Sequence, residues 1–189
     1  FADFASSGFN PIVNLLAKSH YRWGQAADVV VRMPCGAGVG AGPFHSQTNE
    51  AWFAHTPGLK VVYPAFPVDA KGLLIAAIED PNPVMFFEHK ALYRTIRQEV
   101  AINYYNLPLG KAAVIAQGEK ATVVTYGAGV HWALDVLPHF PAGTIDIIDL
   151  RTLIPMDLET IKASISKTGR ALILTEDSNM GSIASDIAA

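Results

Sequence analysis

Four glycines alternate at Gly36, Gly38, Gly40 and Gly42, and the run closes on Pro43-Phe44-His45-Ser46-Gln47. An imidazole titrates near neutral pH, so a histidine carried on a pliable loop is suited to acid–base work. The glycines let the backbone take φ > 0 or lie close to a ligand or another chain. The loop follows the apolar run Val29-Val30-Val31, and a strand that empties into such a loop is where open α/β sheets bind ligands. A phosphate cradle is one reading of the glycines, although the run lacks the Lys-Ser/Thr ending of a P-loop and the spacing of the dinucleotide fingerprint. A loop packed against another subunit is the other. His45 is either an acid–base group or a histidine merely hydrogen-bonded in a loop. Its glycine context sets it apart from His20, His55, His89, His131 and His139.

Other residues offer chemistry with less context. Cys35 adjoins the glycines and could be a nucleophile, but no base stands beside it, and a small buried thiol is the simpler reading. Asp80-Pro81-Asn82-Pro83 reads as a helix-to-strand turn whose oxygens could also hold a hard cation. Phe1 and Phe4 flank Asp3 in a segment without helical periodicity; they are core aromatics or a stacking platform for a cofactor ring. Trp52, Tyr63 and Phe66 read as core or interface. HExxH, CxxC, a serine nucleophile elbow and a Walker sequence are all missing, so an enzyme built on this chain would rely on a cofactor or a second chain for its chemistry.

The elements that must position these residues follow from apolar spacing. Phe9, Ile12, Val13 and Leu16 share a helical face, which predicts an amphipathic helix over 9–20. Strands are predicted over 28–33, 59–63 and 84–88, and helices over 48–56 and from Pro67 to the turn at Asp80. These strands are apolar throughout, not alternating, which argues for a parallel sheet covered on both faces. The pattern lapses over 91–112 and then resumes as a second α/β series. That series has strands over 121–126, 144–150 and 170–175, helices over 130–137 and 156–165, and a last helix starting near Ser182. The fold class is therefore α/β with two units: residues 1–100, a linker over 101–118, and residues 119–189.

The 189 residues are half hydrophobic, carry a net charge of −3 and include a single cysteine. That length supports a sizeable core. Without a basic cluster, nucleic acid is not an expected partner, and no apolar run reaches the roughly 18 residues of a membrane span. One cysteine forbids an internal disulfide and fits a reducing compartment. The chain starts on Phe1 and stops inside a helical pattern, so a piece of a longer protein is expected.

Taken together, the block His45-Ser-Gln-Thr-Asn-Glu-Ala-Trp-Phe-Ala-His-Thr-Pro-Gly-Leu-Lys-Val-Val62 resembles the signature of the β subunit of 2-oxo acid dehydrogenase E1 components, thiamine diphosphate enzymes of the transketolase-like superfamily. Phe1-Ala-Asp-Phe4, Lys71-Gly-Leu-Leu74, Ile78-Glu-Asp-Pro-Asn-Pro83, Leu107-Pro-Leu-Gly-Lys111 and Asp149-Leu-Arg-Thr-Leu153 resemble it too, and the likeness runs through the whole chain. Lys90-Ala-Leu-Tyr-Arg94 and the Phe-Ala-Asp opening lean toward the branched-chain (2-oxoisovalerate) type over the pyruvate type. The resemblance implies a partial pyrimidine-binding domain followed by a partial transketolase C-terminal domain. It implies that the cofactor lies between two chains, with Phe4 stacking on the aminopyrimidine and His45 serving proton transfer and acceptance by the lipoyl group. It also implies a monovalent cation, potassium, held by carbonyls of Val29, Ala77, Ile78 and Asp80 with Asn82. The expected partners are an E1 α subunit or domain, a second β subunit and lipoyl-bearing E2, in the cytoplasm or, in a eukaryote, the mitochondrial matrix. The family's catalytic glutamate is expected upstream of Phe1. The Gly-Asp-Gly motif that holds Mg²⁺ and the diphosphate belongs to the α side, so the chain alone is expected to be inactive. Two alternatives stand beside this. One is a transketolase or deoxyxylulose-phosphate synthase type of enzyme; the other is a non-catalytic dimerisation and E2-docking module.

Overall fold

The computed structural model describes residues 1–189. Eight strands form two four-stranded sheets. The first three strands are β1 (Val30–Cys35), β2 (Lys60–Val62) and β3 (Val84–His89). They pair in parallel with β3 in the middle, so that Met85 lies level with both Val31 and Val61. Every residue of β3 is buried, as its uninterrupted apolar run Val84–Phe87 requires of a strand covered on both faces. Between β2 and β3 runs the helix Pro67–Glu79, opened by a proline whose missing N–H costs nothing in the first turn.

The N-terminal segment departs from the predicted regular helix over 9–20. It is a chain of short pieces: a 3₁₀ helix over Ala2–Gly8, a wide turn over Pro11–Leu15, a 3₁₀ turn over Leu16–Lys18, and α1 over Ser19–Trp23. Pro11 has no N–H for an i→i−4 bond, which accounts for the break. The apolar face survives: Ile12 and Ala17 are in the core, with Phe9, Val13 and Leu16 packed on it. The helix over 48–56 contracts to α2, Glu50–Ala54. The helix from Pro67 is α3, and a further single turn, α4, covers Leu92–Thr95 in the stretch where the pattern lapses.

The second sheet contains β4 (Ala113–Ala116), β5 (Ala121–Thr125), β6 (Ile145–Asp149) and β8 (Ala171–Ile173). Strands β6, β5 and β8 are parallel, and β4 is an antiparallel edge beside β6. Helices α5 (Ala128–Val136), α6 (Leu158–Thr168) and α7 (Ile183–Ala188) complete this unit. Asp157 caps α6 by accepting from the Thr160 N–H, and Gly169 ends it in the left-handed conformation. The linker reading of 101–118 needs correction at Ala113–Ala116, which is β4 and belongs to the sheet. The four-residue strand gives little periodicity to read.

Strand β7 (Thr152–Ile154) joins the two units. It leaves the second sheet after Asp149, turns through Arg151 at φ +58°, and adds antiparallel to β2 of the first sheet. The turn is held on three sides. Arg151 N donates to Asp149 Oδ1 at 3.0 Å, and Tyr63 N donates to Arg151 O at 2.8 Å. The guanidinium reaches Asp69 of α3 with two bonds, Nη2 to Oδ1 at 2.8 Å and Nε to Oδ2 at 3.1 Å. The largest apolar cluster runs through both units. Met85, Phe87 and Tyr63 share it with Val124, Ile148 and Leu153. Each such buried side chain contributes roughly 1.5–3 kcal/mol, so the contact between the sheets is core, not a surface junction.

Candidate active site

Strand β1 delivers the chain into the glycine loop, where all four glycines take positive φ. At Gly36 the requirement is strict. A Cβ there would stand 2.2 Å from Cδ2 and Nε2 of His89, which lies at the end of β3. The loop's neck is closed by Gly36 N donating to Gln47 O at 3.1 Å. Inside it, the 3₁₀ turn Pro43–His45 presents the imidazole.

That imidazole sits between two aromatic rings. Its centroid is 4.5 Å from that of Phe1 and 5.4 Å from that of Phe4, the latter edge-on. The N-terminal segment is stitched to the loop, because Gln47 N donates to Asp3 Oδ1 at 3.1 Å and Asn49 Nδ2 to Ala2 O at 3.1 Å. Phe4 keeps more than half of its surface exposed, which leaves aromatic surface that a planar ligand could cover. His45 Nδ1 is enclosed and has no hydrogen-bond partner. The buried Lys90 donates from Nζ to His45 O at 2.5 Å and lies 4.9 Å from the Phe1 ring centroid. A cavity of about 590 Å³, lined by Phe1, Gly38, Val39, Lys90 and Arg94 among others, takes in Phe1 and Lys90 of this group but neither Phe4 nor His45. A second cavity of about 520 Å³ lies over α3 and β3 and takes in none of Phe1, Phe4 or His45.

One acidic residue braces the loop and a second is buried nearby. Glu176, just beyond β8, accepts from Ala37 N at 3.1 Å through Oε1, and through Oε2 from Thr48 Oγ1 at 3.3 Å. The same Oε2 lies 3.0 Å from His89 Nε2. Burial pushes the Glu176 carboxyl up, but the hydrogen bond and charge of His89, with the Ala37 and Thr48 donors, bring it below its ordinary value. Glu50, at the start of α2, is wholly buried; Tyr126 Oη donates to its Oε1 at 2.7 Å and is itself 2.8 Å from Thr175 Oγ1. Burial raises the Glu50 carboxyl to about 7 in spite of the tyrosine bond.

The nucleophile reading of Cys35 does not hold. The thiol is fully buried 3.0 Å from Tyr63 Oη, and burial drives it far above the thiolate range despite that bond. Glu50 and Lys90 lie within motifs quoted above, but nothing in those motifs gives them a part at the site, and Glu176 stands outside them. Each is a common surface residue type, and only long-range packing brings Lys90 and Glu176 to the loop.

The turn after α3 has a different character. Asp80 Oδ1 accepts from both N and Nδ2 of Asn82 at 2.9 Å, and Oδ2 pairs with Lys60. Burial pushes the Asp80 carboxyl up, but Lys60 and Asn82 outweigh it and leave it low. The carboxylate is therefore already neutralised, and a cation here would have to be held by carbonyls. Those are on offer at the end of the helix. Pro81, four residues past Ala77, has no N–H to give, and the Asn82 N–H, four past Ile78, goes to Asp80. The Val29 carbonyl borders the same turn and accepts from Val84 N at 2.9 Å. This oxygen set fits a weakly charged ion that needs no carboxylate of its own.

A parallel sheet, an exposed aromatic and a histidine on a glycine loop delimit a family only when compared with known proteins. Residues 1–95 match the transketolase pyrimidine-binding domain. The chain belongs to that family. Residues 110–189 of this transketolase-type chain match the transketolase C-terminal domain. The 2-oxoisovalerate dehydrogenase subunit beta of Bacillus subtilis is 48% identical over 100% of the chain and 59% of its own length. The pyruvate dehydrogenase E1 component subunit beta of the same organism is 40% identical, again over 100% of the chain and 59% of its length. Among solved structures, the split-gene transketolase described as an inactive β4 tetramer superposes with a TM-score of 0.81 at 23% identity, over 100% of this chain and 59% of that one. The transketolase-type chain thus spans about three-fifths of the length of these proteins. None of its helices is long and apolar enough to cross a membrane.

Proposed function

We propose that the protein containing this transketolase-type chain is the β side of the E1 component of a 2-oxo acid dehydrogenase. It decarboxylates a 2-oxo acid, with a branched-chain acid such as 2-oxoisovalerate favoured over pyruvate, and passes the acyl group to lipoyl-E2. The observation that supports this best is the wall formed by Phe4 and His45, an exposed aromatic ring standing beside an imidazole that the glycine loop presents. Thiamine diphosphate, with Mg²⁺ held mainly by an α partner, would supply the carbanion chemistry when bound.

On this reading the chain's own residues do four things. Phe4 offers its exposed face to the aminopyrimidine ring. His45 exchanges a proton through Nε2, while Nδ1 stays enclosed against the N-terminal segment. Lys90 fixes the backbone of His45 through the carbonyl. The carbonyls of Val29, Ala77, Ile78 and Asp80, with Asn82, would hold a potassium ion that ties the end of α3 to β1. The remaining parts of the assembly are an α subunit or domain, a second β subunit and lipoyl-bearing E2. Its place is the cytoplasm, or the mitochondrial matrix in a eukaryote.

The test is the intact protein assembled with its α partner and assayed with 2-oxoisovalerate, pyruvate and a lipoyl acceptor. Activity that needs thiamine diphosphate and falls at least about a hundredfold in His45→Ala is expected, in the range of a general acid–base group. No 2-oxo acid-dependent decarboxylation by that assembly rejects the proposal. Unchanged acyl transfer in His45→Ala would leave the loop as a packing element.

A further inference from the structure

Glu176 belongs to the second unit, yet all three donors it serves lie in the first. Ala37 and Thr48 bracket the loop that carries His45, and His89 forms the wall against which Gly36 is pressed. The loop has no sheet partner of its own. Its neck has one backbone bond, Gly36 N to Gln47 O, and one side chain gripping both sides of that neck. His89 is buried, so the acceptor on its Nε2 decides which way the ring faces Gly36. Two carboxylate oxygens offer about four lone-pair sites, enough for three donors. An amide in the same place would turn one acceptor into a donor.

We propose that Glu176 is a positioning residue for His45: reaching across from the second unit, it clamps both ends of the glycine loop and so fixes where the imidazole stands. Its mechanistic part rests on the function proposed above, whereas the clamp itself does not. Pre-organisation of this kind matters because a small misplacement of an acid–base group lowers the rate even when every reacting group is present.

The experiment uses the intact protein with its α partner, as wild type, Glu176→Gln, Glu176→Ala, His45→Ala and the Glu176→Ala/His45→Ala double variant. Amide hydrogen exchange reads the clamp directly. In Glu176→Ala, exchange over residues 36–48 is expected to rise about tenfold or more, the worth of one hydrogen bond, with Val84–Phe87 of β3 unchanged. Glu176→Gln, which keeps the shape and one acceptor oxygen, should lie between the two. In acyl transfer to lipoamide, Glu176→Ala is expected to lower kcat about tenfold while KM for the 2-oxo acid stays within about twofold. The same substitution should cost nothing further once His45 is alanine, because the clamp acts through that residue. Wild-type exchange over 36–48 in both Glu176 variants would overturn the clamp. Multiplicative losses in the double variant would overturn its action through His45. If the wild-type assembly turns over no 2-oxo acid, the functional reading falls while the exchange data still decide the clamp.

Discussion

Glu50 is expected to withdraw stability from this fold as the solution leaves acid pH. Its carboxyl is wholly buried, with one bond from Tyr126 and an Oε2 that has no partner. Burial raises it from an ordinary 4.5 to about 7. The folded chain therefore holds a proton that the unfolded chain releases between those values. Stability associated with that proton is fully present below 4.5 and is lost as pH climbs through about 7. At about 1.4 kcal/mol per pH unit, the interval carries roughly 3 kcal/mol. Asp149, fully buried and also raised to about 7, acts in the same direction over an overlapping range. The carboxyls held low, Glu79, Asp80, Asp146, Asp157 and Glu176, act below their ordinary values, outside this interval. Glu50→Gln keeps an acceptor for Tyr126 and removes the titration. Urea unfolding at pH 5 and pH 8 measures the effect. The loss of stability between the two should be smaller in Glu50→Gln than in wild type by about 2–3 kcal/mol, whatever the absolute stability of the variant. An equal loss in both proteins would refute the assignment of a buried, proton-holding carboxyl.

Two further substitutions test the packing. Gly36→Ala should destabilise by about 2–4 kcal/mol, since it combines left-handed strain with overpacking against His89. Gly40→Ala, at similar φ in open space, should cost only about 1 kcal/mol; denaturant midpoints separate the two, and equal costs would contradict the His89 contact. Arg151→Met strands the buried Asp69 carboxylate and should cost about 3–5 kcal/mol. Much of that should return in Arg151→Met/Asp69→Asn, as a double-mutant cycle by chemical denaturation would record.

What could be read from residues alone was decided by range. Val84–Phe87 announces itself because a strand buried on both faces has to be apolar all along, and Pro67 marks a helix start by local chemistry. Thr152–Ile154 is three residues long and gets its partner from β2, ninety residues earlier in the chain, so no window of neighbours reveals it. The segment over 9–20 shows a correct apolar face with incorrect regularity, because amphipathic spacing says nothing of the bond that Pro11 cannot make. At the site, His45 stands out through its glycines. For Phe4 the residues alone leave a core aromatic and a stacking platform both open, the resemblance chooses the platform, and the structure sets its ring beside His45. Lys90 and Glu176 are ordinary charged residues whose importance comes from partners far away in the chain. The motif that Lys90 opens says nothing of its bond to the His45 carbonyl.

Because β7 is hydrogen-bonded into the first sheet while its neighbours β6 and β8 belong to the second, the two sequence families matched here do not come apart as physical objects. A cut in the stretch between them would leave residues 1–95 with the β2 edge uncovered. An uncovered edge recruits whatever strand is at hand. The first half made alone is therefore expected to self-associate, and any scheme that shuffles such halves between proteins must carry the Asp149–Ile154 crossover along with the sheet it completes.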